Sequence, residues 1–569
     1  MNGWHNSVLA RRKPALLGRL QVLLLCAFLS CSVVADSRPN LIFIMMDDLG
    51  YGQCAFNNDE LTIEDFDPYF SQLVAERQGY PPEQALEFSL QAMPTLSLLA
   101  HQGIVFNRAY APSSLCAPSR LSIATARNQH ARGIYTNVDV ETVGFESGTL
   151  LATHLQDAGY ATAHIGKWHM SPRDEDVVRT VLARHGIEMD EDTSWQDIHR
   201  DYRELSDEVW ESGYYGSVVP EQNPVRNGFD YYYGYNYWAS QFYNSPLVWE
   251  NERHAGRQAG YNTDVFTDKA LEFIKKQVTE DKPFFVQLHY HAVHDYLQPN
   301  APRKYFRKFP SHYYDLSNFY AHVYGVDYNI KRIIKYLEQQ DALDNTLIVF
   351  TSDNGAMAGG PSVLPGNAPF SGQKGTYFQG GTRVPLLFHW PDGIMGGRVL
   401  DTLASSMDIM PTFLGAAGIG IPDGLDGKNL CSILSGKSSE EVRDHMLWAG
   451  IHARRWGFLI NTSYKYHGTE WPFAPSAWAV LKGDFLLRFV GSVEPGVYHE
   501  SPDGAAASLK LYNISDDPAE TRELADKYPE KVQDMKALYL EYSECLQPPR
   551  RWSVEKWQEL AGDVAEDAH

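Results

Sequence analysis

Leu41-Ile42-Phe43-Ile44-Met45-Met46-Asp47-Asp48 is an unbroken apolar run closed by two acids. With no polar face, such a run suits a strand covered on both sides, as in a buried parallel sheet. The acids then stand at its carboxyl end, where such sheets gather ligands. The pattern recurs. Thr346-Leu347-Ile348-Val349-Phe350 runs into Thr351-Ser352-Asp353-Asn354-Gly355, and Pro283-Phe284-Phe285-Val286-Gln287-Leu288 runs into His289, His291 and His294. Helical stretches lie between, over 264–277 and 318–340. This alternation predicts a doubly wound α/β fold, with ligands gathered where strands end.

The pattern changes near residue 438. Segments 456–460, 477–481 and 485–490 read as short strands and 529–544 as a helix. We therefore expect a main domain over 36–437, a smaller antiparallel sheet plus helix over 438–546, and a peripheral tail over 547–569. Two charged helical stretches, 57–91 and 172–211, read as insertions whose helices are solvated on the rim.

The length of 569 residues exceeds what one core usually organises, and 44% hydrophobic with 13% aromatic residues marks a globular chain. Arg11, Arg12, Lys13 and Arg19 precede the apolar segment 20–34, and Val33-Val34-Ala35 is a small-residue cleavage pattern. We expect residues 1–35 to be a signal peptide and the protein to be periplasmic or secreted. Phe28-Leu29-Ser30 is a poor lipobox, which disfavours an anchor on Cys31. No later segment is apolar enough to make a stable membrane span. The net charge is −22; without the four leader cations, residues 36–569 carry −26. Such an excess argues against nucleic acid as a partner but leaves room for a local cationic pocket. Of six cysteines, Cys54, Cys116, Cys431 and Cys545 lie beyond the leader, too few for a disulfide scaffold.

Four constellations carry chemistry. Asp47 and Asp48 repel each other unless a cation lies between them. With Asp353 and Asn354 they make a hard oxygen set suited to Ca²⁺ or Mg²⁺. Taken singly, each pair reads as a turn or cap. Gly166-Lys167-Trp168-His169 places an ammonium and an imidazole two residues apart, so on an extended segment both face one way, toward an anion. Around His289, His291 and His294 there is neither cysteine nor an HExxH glutamate, so zinc is disfavoured. His294 suits an acid at a strand-end loop, His289 a satisfied interior histidine, and His291 either. Gly372-Gln373-Lys374-Gly375 lets Lys374 reach a pocket, while Arg383 reads as a structural ion pair.

Cys116-Ala117-Pro118-Ser119-Arg120 matches C-x-P-S-R. With the other motifs in order from Pro39 to Tyr512, the chain resembles a type I, formylglycine-dependent sulfatase of the alkaline phosphatase superfamily, of the kind found among bacterial carbohydrate sulfatases. The resemblance implies an alkaline-phosphatase-like fold, a mixed, mostly parallel sheet sandwiched by helices, and a metal, Ca²⁺ with Mg²⁺ as the alternative, held by Asp47, Asp48, Asp353, Asn354 and the group at 116. It implies that Cys116 is oxidised to formylglycine by a formylglycine-generating or sulfatase-maturating enzyme, steadied by Arg120. Lys167 and Lys374 then hold sulfate oxygens, His169 is the base that unloads the enzyme, and His294 the acid for the leaving alcohol. His291 is expected near the substrate. Where the family often reads Leu-x-Thr-Gly, this chain has Ile123-Ala124-Thr125-Ala126.

The expected substrate is a sulfated polysaccharide or oligosaccharide. Nine aromatics between Phe229 and Tyr243 either line a sugar site or belong to the scaffold. Two alternatives stand beside this reading: a phosphonate monoester or phosphodiester hydrolase of the same superfamily, and a glycan-binding pseudoenzyme whose Cys116 remains a thiol.

Overall fold

The computed structural model describes residues 38–295, 297–357, 363–450, 477–490, 508–547 and 549–550. The expected leader, the strand expected over 456–460 and most of the expected tail lie outside them. Among the described residues, ten strands form one sheet. Its centre is five parallel strands in the order Thr346–Ser352, Asn40–Met46, Phe284–His289, Ala161–Lys167 and Tyr231–Tyr235. Leu386–His389 joins antiparallel on one side, and the hairpin Trp249–Glu250 with Arg253–His254 closes the other.

The first strand shows why the apolar run has no polar side. Ile42, Ile44 and Met46 enter one core with the helices Asn262–Thr279 and Tyr314–Gln339. Leu41, Phe43 and Met45 enter a second core with the helices Cys116–Thr125 and Ile409–Ala416. Alternate side chains leave a strand on opposite faces, and here both faces are covered.

The expected rim helices differ from expectation. Residues 57–91 contain the helices Pro68–Arg77 and Pro82–Gln91, but Phe66, Phe70, Leu73, Tyr80 and Phe88 are buried in the first core. The acidic composition concealed a packed apolar side. Over 172–211, Val178, Val181, Leu182, Trp195 and Val209 form a small core with Tyr214, so this segment too is more than a solvated face.

The C-terminal strands His445–Gly450, Ala477–Lys482, Phe485–Val490 and Ser508–Asn513 form an antiparallel sheet. One face carries the helix Pro529–Ser543, with Trp478 stacked 4.0 Å from Tyr539. The other packs Met446, Trp448 and Leu486 against Tyr110, Tyr377 and Leu403. Glu520, beyond the last strand, accepts from the backbone N–H of Gln379 at 2.8 Å and lies 3.4 Å from Arg488. Cys54, Cys116, Cys431 and Cys545 are all free thiols. Among the described residues no helix is long and apolar enough to cross a membrane.

Candidate functional site

Register builds the site. Met46 pairs with Ser352 on the neighbouring parallel strand, so Asp47-Asp48 and Asp353-Asn354 leave the sheet side by side. Asp353 Oδ1 accepts from the Asp48 N–H at 3.1 Å, and Asn354 Nδ2 donates to Asp48 Oδ1 at 2.7 Å. The Ala161–Lys167 strand ends in the same place. Gly166 there has φ 106°, and a Cβ would stand 1.8 Å from the His289 carbonyl oxygen, so only glycine fits.

Cys116 opens its helix and is fully buried. Its Sγ lies 3.7 Å from Asp48 Oδ1. The helix closes on Ala126 at φ 50°, a left-handed cap that glycine adopts more readily. Within the helix, Arg120 meets Asp353 Oδ2 at 2.9 Å and Asp47 Oδ1 at 3.3 Å. Ser119 Oγ donates to the Asp353 carbonyl at 2.6 Å.

Two ammoniums complete the cluster. Lys167 Nζ is 2.6 Å from Asp47 Oδ2, and Lys374 Nζ is 2.9 Å from Asp48 Oδ2. Three carboxylates thus face three permanent cations in a nearly dry setting. Burial by itself raises the Asp47 and Asp48 carboxyls. Lys167, His294 and Arg120 outweigh it at Asp47, as Lys374 and His294 do at Asp48, and both are lowered. At Cys116 burial wins over the two lysines and pushes the thiol up. A thiol in that state is a poor nucleophile at neutral pH.

His294 Nε2 lies 3.6 Å from Asp48 Oδ2 and 3.3 Å from Lys374 Nζ. Its Nδ1 is 2.9 Å from the Asp295 carbonyl. Burial and Lys374 lower its pKa, with Asp48 opposing them. His291 is fully buried, and its Nδ1 pairs with Tyr235 Oη at 2.8 Å.

Three sequence readings change. His169 is not on the strand with Lys167. The strand ends at Lys167, and His169 takes φ 52°, so it points to Glu141, with Nε2 3.2 Å from Oε1. Arg383 forms no ion pair among the described residues. It donates to the Asn107 carbonyl and Gln379 Oε1 and stacks 4.3 Å over Phe370. His289 is interior, and its Nδ1 lies 3.4 Å from Arg120 Nη1, but Nε2 has no hydrogen-bond partner. Glu141 and Arg173, 3.0 Å apart, were not singled out. They lie outside every motif, and no local pattern marks them.

The donor set fits a divalent cation. Oxygen atoms of Asp47 and Asp48, the Cys116 sulfur and a His294 nitrogen all lie within 4.8 Å of one another. Asn354 Oδ1 is buried with no hydrogen-bond donor, and Asp47 Oδ1 has only the Arg120 guanidinium, 3.3 Å away. Buried oxygens left unpaired are costly and suit a hard cation.

Residues 39–419 match the sulfatase family model. The chain is 31% identical over 524 residues to the uncharacterized sulfatase YdeN of Escherichia coli, covering 90% of this chain and 86% of that one. It is 25% identical to human N-acetylgalactosamine-6-sulfatase, covering 92% and 90%. Among solved structures it resembles Ps i-CgsB in complex with k-i-k-neocarrahexaose, at TM-score 0.66 and 23% identity, covering 93% and 99%. With a family match across most of the chain and the strand-end site in place, this protein belongs to the sulfatase family.

Proposed function

We propose that this sulfatase removes sulfate from a sulfated carbohydrate, with formylglycine at position 116 and Ca²⁺ held by Asp47, Asp48, Asp353, Asn354 and the group at 116. The observation that carries the reading is the convergence of three carboxylates and three permanent cations on Cys116. A divalent cation there supplies positive charge to a sulfate oxygen and to the nucleophile at 116. The chain's own residues do the rest. Lys167 and Lys374 are the ammoniums within reach of an anion, and they hold sulfate oxygens as negative charge shifts in the transition state. Arg120 neutralises Asp47 and Asp353 and fixes the helix that carries position 116. His294 delivers a proton from Nε2 to the departing alcohol, and His169 takes one from the group at 116.

Recognition of sugar is supported beside His294. The Trp238 ring lies 5.7 Å from the His294 ring and 5.5 Å from Tyr237. Tyr237 lies 5.0 Å from Tyr215. These three rings are half-buried and make an aromatic wall on the leaving-group side, of the kind on which sugar faces stack. Most of the other aromatics in 229–243 belong to the cores. His291, hydrogen-bonded to Tyr235, stacks its ring 5.9 Å from that of His294. The relatives named above, one an N-acetylgalactosamine-6-sulfatase and one solved in complex with k-i-k-neocarrahexaose, support the same substrate class. We place the protein in the periplasm or outside the cell.

The test is sulfate release by the matured protein from a panel of sulfated galactans, fucans and glycosaminoglycan fragments, in parallel with aryl sulfate and aryl phosphate diesters. Release from at least one glycan, exceeding diester hydrolysis, is expected. Faster diester hydrolysis overturns the reading.

A further inference from the structure

We propose that Glu141 is a positioning residue for His169, fixing which ring nitrogen is free to take a proton, and that Arg173 holds Glu141 in place. The inference rests on the reading of His169 as the base.

Glu141 sits on the helix Asn137–Val143, outside every motif of the chain. Its Oε1 lies 3.2 Å from His169 Nε2. An ionised carboxylate only accepts, so Nε2 must carry the hydrogen, and the lone pair of the neutral ring is left on Nδ1. That Nδ1 is buried and has no hydrogen-bond partner. A buried lone pair kept without a donor costs stability, and a base needs one. The main chain fixes where the ring starts: Trp168 N–H donates to the Tyr235 carbonyl at 2.8 Å, and the Trp168 side chain is fully buried.

The second oxygen of Glu141 is also committed. Oε2 lies 3.0 Å from Arg173 Nη1. The Arg173 guanidinium in turn lies 5.7, 5.7 and 5.6 Å from the ring centroids of Tyr214, Tyr215 and Tyr237. A carboxylate held at both oxygens cannot turn away from the imidazole. When Nδ1 takes a proton, the ring becomes an imidazolium with a hydrogen on each nitrogen. The Nε2 hydrogen stays where it is, its bond to Glu141 becomes charge-assisted, and no proton passes to the carboxylate. The charged groups acting on the ring are Glu141, which favours the imidazolium, and Lys167 and Arg120, which oppose it. Arg173 stands behind the carboxylate. A purely structural role, tying the helix to the loop, would need none of this polarity at the ring.

The experiment uses the full-length matured protein and its Glu141→Gln, Glu141→Asp and His169→Asn variants, with kcat and KM for an aryl sulfate measured from about pH 5 to 9. The ring tautomer is read independently by two-bond ¹H–¹⁵N spectra of histidine-labelled protein. Glu141→Gln should lower kcat about 10–100-fold with KM changed less than about twofold. Its acid limb should move to lower pH, because loss of the carboxylate charge weakens the base. Glu141→Asp should recover part of kcat. The spectra should show one Nε2-protonated tautomer of His169 in the parent and its loss in Glu141→Gln. Unchanged kcat, acid limb and tautomer in Glu141→Gln overturn the proposal. If that variant does not fold, Arg173→Met takes its place. A fall in kcat at constant KM with a disturbed tautomer supports the proposal, and parental values of both overturn it. Parental turnover in His169→Asn would instead overturn the assignment of His169 as the base.

Discussion

Arg120 reaches Asp353 Oδ2 with both Nε and Nη2 at 2.9 Å, from a position about one helical turn beyond Cys116. The contact ties the helix of the reacting residue to the end of the Thr346–Ser352 strand, in full burial. Removing one partner of such a pair strands a buried charge. Arg120→Ala should lower unfolding free energy by about 3–5 kcal/mol in urea denaturation and abolish turnover. Arg120→Lys keeps the charge but loses the planar fork, and should be less destabilised while still impaired in catalysis. Parental stability in Arg120→Ala would contradict this account.

The oxygen cluster should respond to cation removal. Chelation should abolish sulfate release and lower the thermal midpoint, and added Ca²⁺ should restore both. At a hundred times its dissociation constant, a bound ion stabilises by about 2.7 kcal/mol. Asp48→Asn should blunt the Ca²⁺-dependent rise in midpoint. A midpoint indifferent to chelator and Ca²⁺ would count against a resident cation.

Position 116 makes a chemical prediction. Burial drives the cysteine thiol away from ionisation, so the unmodified residue is ill suited to attack sulfur. Mass spectrometry of the peptide containing residue 116, from the native host, should find the aldehyde or its hydrate. Cys116→Ala should release no sulfate. Finding only thiol in active protein would refute the assignment.

Trp238 should separate sugar recognition from chemistry. Trp238→Ala is expected to raise KM for a sulfated oligosaccharide about tenfold, the order of one lost stacking contact of about 1–1.5 kcal/mol. Turnover of a small aryl sulfate should change little. Equal losses on both substrates would assign Trp238 to the scaffold.

Two buried histidines outside the proposed catalytic set make stability depend on pH. Burial lowers His130 and His322 to about 3. Unfolded, each binds a proton near pH 6.5, which the folded state refuses. Their contribution is full above that value and is lost as pH falls toward 3. Each should cost about 2 kcal/mol between neutral pH and pH 5. Urea midpoints at the two pH values should show the fall, and His322→Gln should reduce it. A pH-independent midpoint would show that the rings are protonated in place.

The strands were legible because a buried parallel strand needs an unbroken apolar run, and the acids at its end stand out against it. Asp47, Asp48, Asp353 and Asn354 could be paired from that logic before any register was known. His169 was legible as a residue but not in direction. Facing by twos holds only while a strand continues, and the backbone turns left-handed immediately after Trp168. Glu141 was invisible for a different reason: one of two acids on a short helix, it looks like any solvated charge until tertiary packing brings it to the imidazole. The 57–91 segment misled because its acids are frequent and its apolar residues irregularly spaced.

The hydrogen bond from the Gln379 N–H to Glu520 places the last described part of the chain against the segment that follows Lys374. The family match stops at residue 419, a hundred residues earlier in the chain. A premature stop codon anywhere between them would therefore leave every proposed catalytic and metal-binding residue translated and still remove a strut from beneath the glycine-rich turn. For genetic variants of this protein, a late truncation should be scored with loss of function, not as trimming of an accessory end.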